Sequence, residues 1–376
     1  MRENFYPFQL ERIMSKWENV VQYNLSESGV HPLSLVELAE DNPDFIEGLI
    51  KTSLNYAQAN GIEELRQNIS NLYPGSTSEN VIVTTGAAQA NFTAILTTLD
   101  PGDEIVVMLP NYMQIYGIAR NYRLDVKTFS LREELKWSVD PDEIKASVSD
   151  KTRLIAVCNP NNPTGHIMTG EEMDAVIEAA RRSGAWLLAD EVYAGAEHRR
   201  EEQTPSFWGR YERVIAVNSL SKAYALPGLR IGWVVSPPEL VEEIWARQDY
   251  ITISNTILAN KIAAYALSPE IRPKLIERTR QYVRNGYQNL ERWINAHPDQ
   301  LSVIPPEAAA IAFVRYEADI NSSELVDLLV REHDTYIVPG DHFGLDRHLR
   351  ISYGLAADYV NEGLARVYKT IESFKE

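Results

Sequence analysis

Residues 213–236 read RVIAVNSLSKAYALPGLRIGWVVS. The stretch opens on one apolar run, RVIAVNSL (213–220), and closes on another, RIGWVVS (230–236). Runs of this kind, apolar at successive positions, suit strands covered on both faces. Between them a lone Lys222 sits among Ser219, Ser221 and Ala223, followed by a Pro-Gly turn and Arg230. A lysine in that setting is not solvated as it is on an open helix. It is paired, or it reacts.

Five more runs precede this pair: NVIVTTG (80–86), EIVVML (104–109), DVKTFS (125–130), RLIAVCN (153–159) and AWLLADEV (185–192). Amphipathic stretches separate most of them. GEEMDAVIEAARRSG carries Met173, Val176, Ile177 and Ala180 on one helical face. Strands alternating with helices predict an α/β domain with a mostly parallel, seven-stranded sheet. After residue 236 the pattern changes. PEIRPKLIERTRQYVRNGYQNLERWINAH reads as a long connecting helix, and AAIAFVRY and HLRISYG as strands of a smaller α+β unit. The expected division is an N-terminal segment, 1–39, packing on the small domain, a large domain, 40–265, and the long helix with the small domain, 266–376.

The chain has 376 residues and a formal net charge of −17. That balance argues against nucleic acid or an anionic membrane as a partner, since both require positive patches. The single cysteine, Cys158, lies in the apolar run LIAVCNP and reads as a small buried hydrophobe. One cysteine permits no disulfide within the chain, and a cytoplasmic location is expected. The N-terminus MRENFYPFQLERIMSKW lacks the apolar core of a signal peptide, and no run approaches the length of a membrane span.

Ligands of open α/β sheets bind beyond the carboxyl ends of the strands, and four polar stretches fall there. TTGAAQAN follows the first run and opens a helix, so Gly86, Ala87 and Ala88 offer backbone N–H groups to an anion. NPNNPTG (159–165) is a forced loop in which Asn162 presents an amide. ADEVYAG (189–195) ends a buried run on Asp190, whose carboxylate needs a cation, and carries Tyr193. In the opening stretch, burial and the like charge of Arg230 are expected to depress the pKa of Lys222. Ser219, Ser221 and Arg230 form a donor set for a phosphate. Each stretch alone has a plain reading: a tight turn, a capped strand end, a lysine paired with Asp190. Together they match one ligand, pyridoxal phosphate. Its aldehyde takes a lysine, its ring nitrogen a buried carboxylate, its phenolate oxygen donors and its phosphate an anion site.

The ordered set NPNNPTG, DEVY and SxSKxxxxPGxRxG resembles the signature of the class I/II, fold-type I pyridoxal-phosphate-dependent aminotransferases, and the likeness runs from SESG near residue 27 to RISYG at 350–354. The resemblance implies roles by position. Lys222 is the Schiff-base lysine and proton shuttle. Asp190 pairs with the ring nitrogen. Asn162 and Tyr193 donate to the phenolate oxygen, and Tyr112 stacks on the ring. Gly86, Ala87, Ala88, Ser219, Ser221 and Arg230 hold the phosphate. Arg350 grips the substrate α-carboxylate, with Asn162 beside it, and Gly29 lies in the loop that closes over it. Tyr56 reaches the phosphate of a neighbouring subunit, which implies a homodimer with shared sites. No metal is expected.

Three positions depart from the family pattern. Ala225 stands where many relatives have glycine, PPEAAAIAF enters its strand on alanines, and SGVHPLSL puts His31 near the substrate mouth. Glu27 and Tyr116 are further candidates for facing the pocket, where an acid suits a cationic side chain. The expected reaction is transfer of an amino group from an α-amino acid to a 2-oxo acid by a ping-pong mechanism. The SESGVHPL loop is similar to that of capreomycidine synthase and its relatives, so a lyase, cyclase or oxidase of the same fold is the alternative. A non-catalytic binder that keeps the fold is a third reading.

Overall fold

The computed structural model describes residues 5–39 and 42–374. The chain opens with helix α1 (Gln9–Trp17) and a two-residue strand, β1 (Tyr23–Asn24). Seven strands then build the large sheet: β2 (Val81–Thr84), β3 (Glu104–Leu109), β4 (Asp125–Ser130), β5 (Thr152–Cys158), β6 (Trp186–Asp190), β7 (Val214–Ser219) and β8 (Gly232–Val235). Their order is β2-β8-β7-β6-β5-β3-β4. All the pairings are parallel except those of β8, which runs antiparallel to both β7 and β2. This reversal matters for the site. It brings the start of β8, just after Arg230, to the edge where the parallel strands end.

Alternate residues of each strand feed two apolar clusters, one on each face. Val83, Val106, Ile155, Leu187 and Ala216 join one, and Ile82, Ile105, Leu154, Leu188 and Ile215 the other. Burial on both faces accounts for the apolar runs of the inner strands. β4, at the sheet edge, is for the most part not buried, so DVKTFS is not a run covered on both faces. Helix α2 (Gly86–Thr98) leaves directly from β2. Helix α3 (Gly170–Ser183) starts at a capping box between Thr169 and Glu172 and stops at Gly184, whose φ is 67°.

The 24-residue helix α4 (Arg272–Asn295) is about 36 Å long at 1.5 Å per residue. It buries Leu275, Ile276, Val283, Leu290 and Ile294, and its Arg280 Nη2 meets the buried Glu197 at 2.7 Å. Gly286 lets α4 approach the small unit closely: a Cβ there would lie 1.9 Å from the Tyr353 carbonyl oxygen. The small sheet is antiparallel, with strands β9 (Leu301–Val303), β10 (Ile311–Tyr316), β12 (Val338–Pro339) and β13 (His348–Ser352). Its order is β12-β13-β10-β9, and Arg350 sits at the middle of β13, opposite Phe313 and Val338.

The N-terminal segment touches both units. β1 pairs in parallel with β11 (Thr335–Tyr336), and Leu25 exchanges backbone hydrogen bonds with Tyr336 and Ser352. Upstream, the Tyr6 N–H donates to Asn121 at 2.8 Å, and Phe8 meets Tyr112 edge-on with ring centres 5.1 Å apart. Helix α1 is thereby pinned across the ends of the large sheet's strands. Among the described residues, no helix is long and apolar enough to cross a membrane.

Candidate active site

A cavity of about 370 Å³ opens where β5, β6 and β7 end. Asp190 is the last residue of β6 and is buried. Its Oδ2 accepts from Asn91 Nδ2 at 3.0 Å and its Oδ1 from the Val192 N–H at 3.3 Å. Burial lifts its carboxyl above the ordinary range, and Asn91, the Val192 N–H and the charge of Lys222 only partly offset this. A carboxylate held in that state is short of a cation.

Lys222 lies three residues past β7. Its Nζ is 3.2 Å from Glu27 Oε1, and both side chains are about a quarter to a third exposed. Sequence reasoning expected a depressed lysine; the structure corrects this. Burial does push the ammonium down, but the charge of Glu27, then that of Tyr193, and the hydrogen bond to Glu27 outweigh it. Lys222 ends above its ordinary value, while the same pairing draws Glu27 down to about 2. The plain alternative, an ion pair with Asp190, is replaced by one with Glu27.

The anion cradle is assembled from two elements. Thr85 makes no side-chain cap at the start of α2, so the first-turn N–H groups there are left to another partner. Gly86 adopts φ 74°, and a Cβ on it would lie 2.4 Å from Arg230 Nη2; the guanidinium lies in the space a side chain would fill. Arg230 Nη1 donates to Ser221 Oγ at 3.2 Å, and the Ser221 N–H to Ser219 Oγ at 3.3 Å. Ala87, Ala88, Ser219, Ser221 and Arg230 all line the cavity.

On the opposite wall Asn162 bridges two groups. Its Nδ2 donates to the Tyr193 hydroxyl, and its Oδ1 accepts from Arg350 Nη1, both at 3.2 Å. Arg350 is 1% exposed; Nη2 donates to the Ser26 carbonyl at 2.6 Å, while Nε has no hydrogen-bond partner. Burial raises the Tyr193 phenol above its usual value, although Lys222 and Arg350 oppose this. The half-buried Tyr112 donates its hydroxyl to Glu11 of α1. Gly29 packs its backbone against that of Ser221 and Lys222.

Other sequence candidates lie elsewhere. Tyr116 accepts from Arg120 on its own helix, and His31 is exposed, stacked beside Tyr282. Neither lines the cavity. Tyr56 is 85% exposed and does not line its own chain's cavity. Ala225 and Ala309 keep left-handed backbone, φ 56° and 72°, where glycine would be free of strain. Cys158 is buried, with its thiol pushed well above its usual value, first by burial.

Among the lining residues that escaped sequence reasoning are Asn91, Glu11, Glu18 and Gln114. Asn91 was within reach of it, because it lies three and four residues after Ala88 and Ala87 and so shares their helical face. Gln114 Nε2 donates to the Ala88 carbonyl at 2.9 Å, and no spacing rule predicts that.

These groups fit pyridoxal phosphate. The under-compensated Asp190 suits a ring N–H, the glycine-opened cradle with Arg230 suits a phosphate, and a lysine amine lines the same cavity.

Comparisons with known proteins point the same way. The family model for aminotransferase class I and II matches residues 21–367. Capreomycidine synthase of Streptomyces vinaceus is 30% identical over 350 residues, covering 92% of this chain and 88% of that protein. An aspartate aminotransferase of Streptomyces avermitilis is 28% identical over 363 residues, covering 89% and 87%. Among solved structures, a PLP-dependent aminotransferase from Streptococcus suis superposes with a TM-score of 0.92 at 29% identity, over 100% of both chains.

Proposed function

The chain belongs to the class I and II aminotransferases, and on that footing we propose how its residues divide the work of moving an amino group from an α-amino acid to a 2-oxo acid by a ping-pong mechanism. One observation carries the reading. Lys222 and Asp190 open into the same cavity as Arg350, so an amine, a buried carboxylate and a carboxylate receptor face one ligand.

Bound pyridoxal phosphate supplies an aldehyde that bonds amines and a ring that stores the electron pair released at the substrate Cα. Lys222 holds the aldehyde at rest. Asp190, braced by Asn91 and the Val192 N–H, keeps a proton on the ring nitrogen. Tyr193 and Asn162 would supply donors for the ring oxygen, and Tyr112 an aromatic surface for the ring. The cradle of Gly86, Ala87, Ala88, Ser219, Ser221 and Arg230 takes the phosphate. Arg350, steadied by Asn162 and the Ser26 carbonyl, fixes the substrate carboxylate and hence the direction of the Cα–H bond. Lys222 Nζ would serve as the base that takes the substrate Cα proton and later gives it up. Positioned proton transfer of this kind contributes about 10²–10⁴ in rate.

In the same reading the chain works as a cytoplasmic homodimer in which Tyr56 of each subunit completes the other's phosphate site. Its outward exposure supports this. The division into 1–39, 40–265 and 266–376 belongs to the same proposal.

One observation favours a second reading, replacement or cyclisation on the same fold: the 30% identity to capreomycidine synthase. A single experiment separates the two. The cofactor-loaded protein is given an amino donor without an acceptor. Transamination yields one 2-oxo acid per site and an amine-form cofactor, and Lys222→Ala yields neither. Loss or rearrangement of the side chain, with the cofactor back in its aldehyde form, overturns it.

A further inference from the structure

The cavity wall made by the N-terminal segment is acidic. The backbone of α1 stays helical through its cap, Glu18 (φ −55°, ψ −30°). Glu11, Met14 and Glu18 are therefore spaced along one stripe, and all three line the cavity. Met14 locates that stripe, because its Sδ is 3.8 Å from Arg350 Nη2. Glu18 lies four residues further on, about 6 Å along the axis. Glu27 joins from the loop after β1, and its Oε1 accepts from Lys222 and from the N–H groups of Ser28 and Gly29.

The cations lining this cavity are Lys222, Arg230 and Arg350. In the reading above, the first two serve the cofactor and the third the α-carboxylate. The basic residues of α1 turn away: Arg12 is exposed, and Lys16 lies over the Trp17 ring, 4.4 Å from its centre. Lys222 is the cation paired with Glu27 at 3.2 Å. In that reading it would be committed to the aldehyde when a donor arrives, which would leave Glu18 and Glu27 open to a cation carried by the donor. Burial first, then the charges of Glu27 and Glu11, hold the Glu18 carboxyl above its usual range against the opposing pull of Lys222. Glu11 is engaged by the Tyr112 hydroxyl, so an incoming cation falls to the other two. A second observation points to a ligand from the facing side. Arg350 is 1% exposed and lines the cavity, with Nε unpartnered, which calls for an anion. A carboxylate on Arg350 and a cation beneath α1 are satisfied by one molecule.

We propose that the amino donor is an α-amino acid whose side chain ends in a cation, an ammonium or guanidinium, held by Glu18 and Glu27 while Arg350 holds its α-carboxylate. The proposal rests on the aminotransferase reading of the same cavity. Donors with acidic side chains meet three carboxylates and are rejected.

The test uses a ligand that cannot react. δ-Guanidinovalerate carries the carboxylate and the guanidinium without an α-amino group, and δ-ureidovalerate is its neutral counterpart. Calorimetric titration of the cofactor-loaded protein should show the cationic ligand binding about tenfold tighter or more, ~1.4 kcal/mol. The ratio should fall towards one in Glu18→Gln and in Glu27→Gln. Equal dissociation constants in the unmodified protein overturn the proposal, whatever the variants do. The donors arginine, citrulline and glutamate score the underlying reading separately. Turnover of citrulline at or above that of arginine sinks the cation preference and leaves the aminotransferase intact. No 2-oxo acid from any of a broad donor panel sinks both.

Discussion

Asn91 reaches Asp190 from a different element: its Nδ2 donates to Oδ2 at 3.0 Å from the second turn of the helix whose first turn forms the anion cradle. One helix therefore reaches both Asp190 and the anion cradle. Replacing Asn91 with leucine removes a donor to a buried carboxylate that burial already disfavours. A hydrogen bond to a charged group is worth enough to weaken cofactor binding by ~10- to 100-fold. Fluorescence titration of the apoprotein measures it, and an affinity within twofold of the parent rejects the role.

The pairing of Lys222 with Glu27 predicts a pH response before any cofactor is added. Glu27 holds the lysine above its ordinary value, so in Glu27→Gln burial prevails and the amine titrates lower. The labelling midpoint of Lys222 by an amine reagent, followed by mass spectrometry in the apoprotein, should move to lower pH. An unchanged midpoint rejects the assignment. The sign for Glu27 runs the other way. Its folded value, about 2, lies below the unfolded one, so the stability it adds is present above pH ~4.5 and is lost as the pH falls towards 2.

His166 makes the opposite prediction. Its ring nitrogens lie 3.0 Å from Glu172 and 3.3 Å from Glu307, tying the NPNNPTG loop to the entry of β10. Burial opposes its charge, but the two carboxylates outweigh burial and lift it to about 9. The stability held by the protonated ring is complete below pH ~6.5 and fades as the pH rises through about 9. His166→Gln should therefore lower Tm at pH 6 and leave a much smaller difference at pH 9.5. A gap that is flat across this range argues against a charged histidine.

Tyr56 allows a test by complementation. Tyr56→Ala and Lys222→Ala are each expected to be crippled as homodimers. A hybrid of the two holds one site with Lys222 from one subunit and an intact Tyr56 from the other, so mixing after mild dissociation should restore activity. No recovery from verified hybrids would show that the tyrosine acts within its own chain or not at all.

The large sheet was legible because burial on both faces leaves a trace at each position, as in RVIAVNSL and RLIAVCN. The cofactor end was legible for a related reason. Asp190, Ser219 and Lys222 sit at or just past strand ends, and a fixed strand end fixes its neighbours in space. Of the acidic wall, Glu27 was legible and the rest was not. Glu11 and Glu18 on an amphipathic helix look like any solvated face, and only the docking of α1 against Tyr112, about a hundred residues away, turns them inward. The direction of the Lys222 shift was misread because its partner, Glu27, is 195 residues distant in the chain. Tyr116 failed for a local reason, since its hydroxyl bonds Arg120 one turn along.

Gly286 places α4 in contact with the backbone that follows the arginine strand, leaving no room for even one carbon between them. That seat forbids sliding. This stretch of the long helix and the backbone three residues past Arg350 are seated as one piece. A bulkier residue at 286 would therefore disturb the aim at the carboxylate from the far side of the strand, without touching the cavity at all.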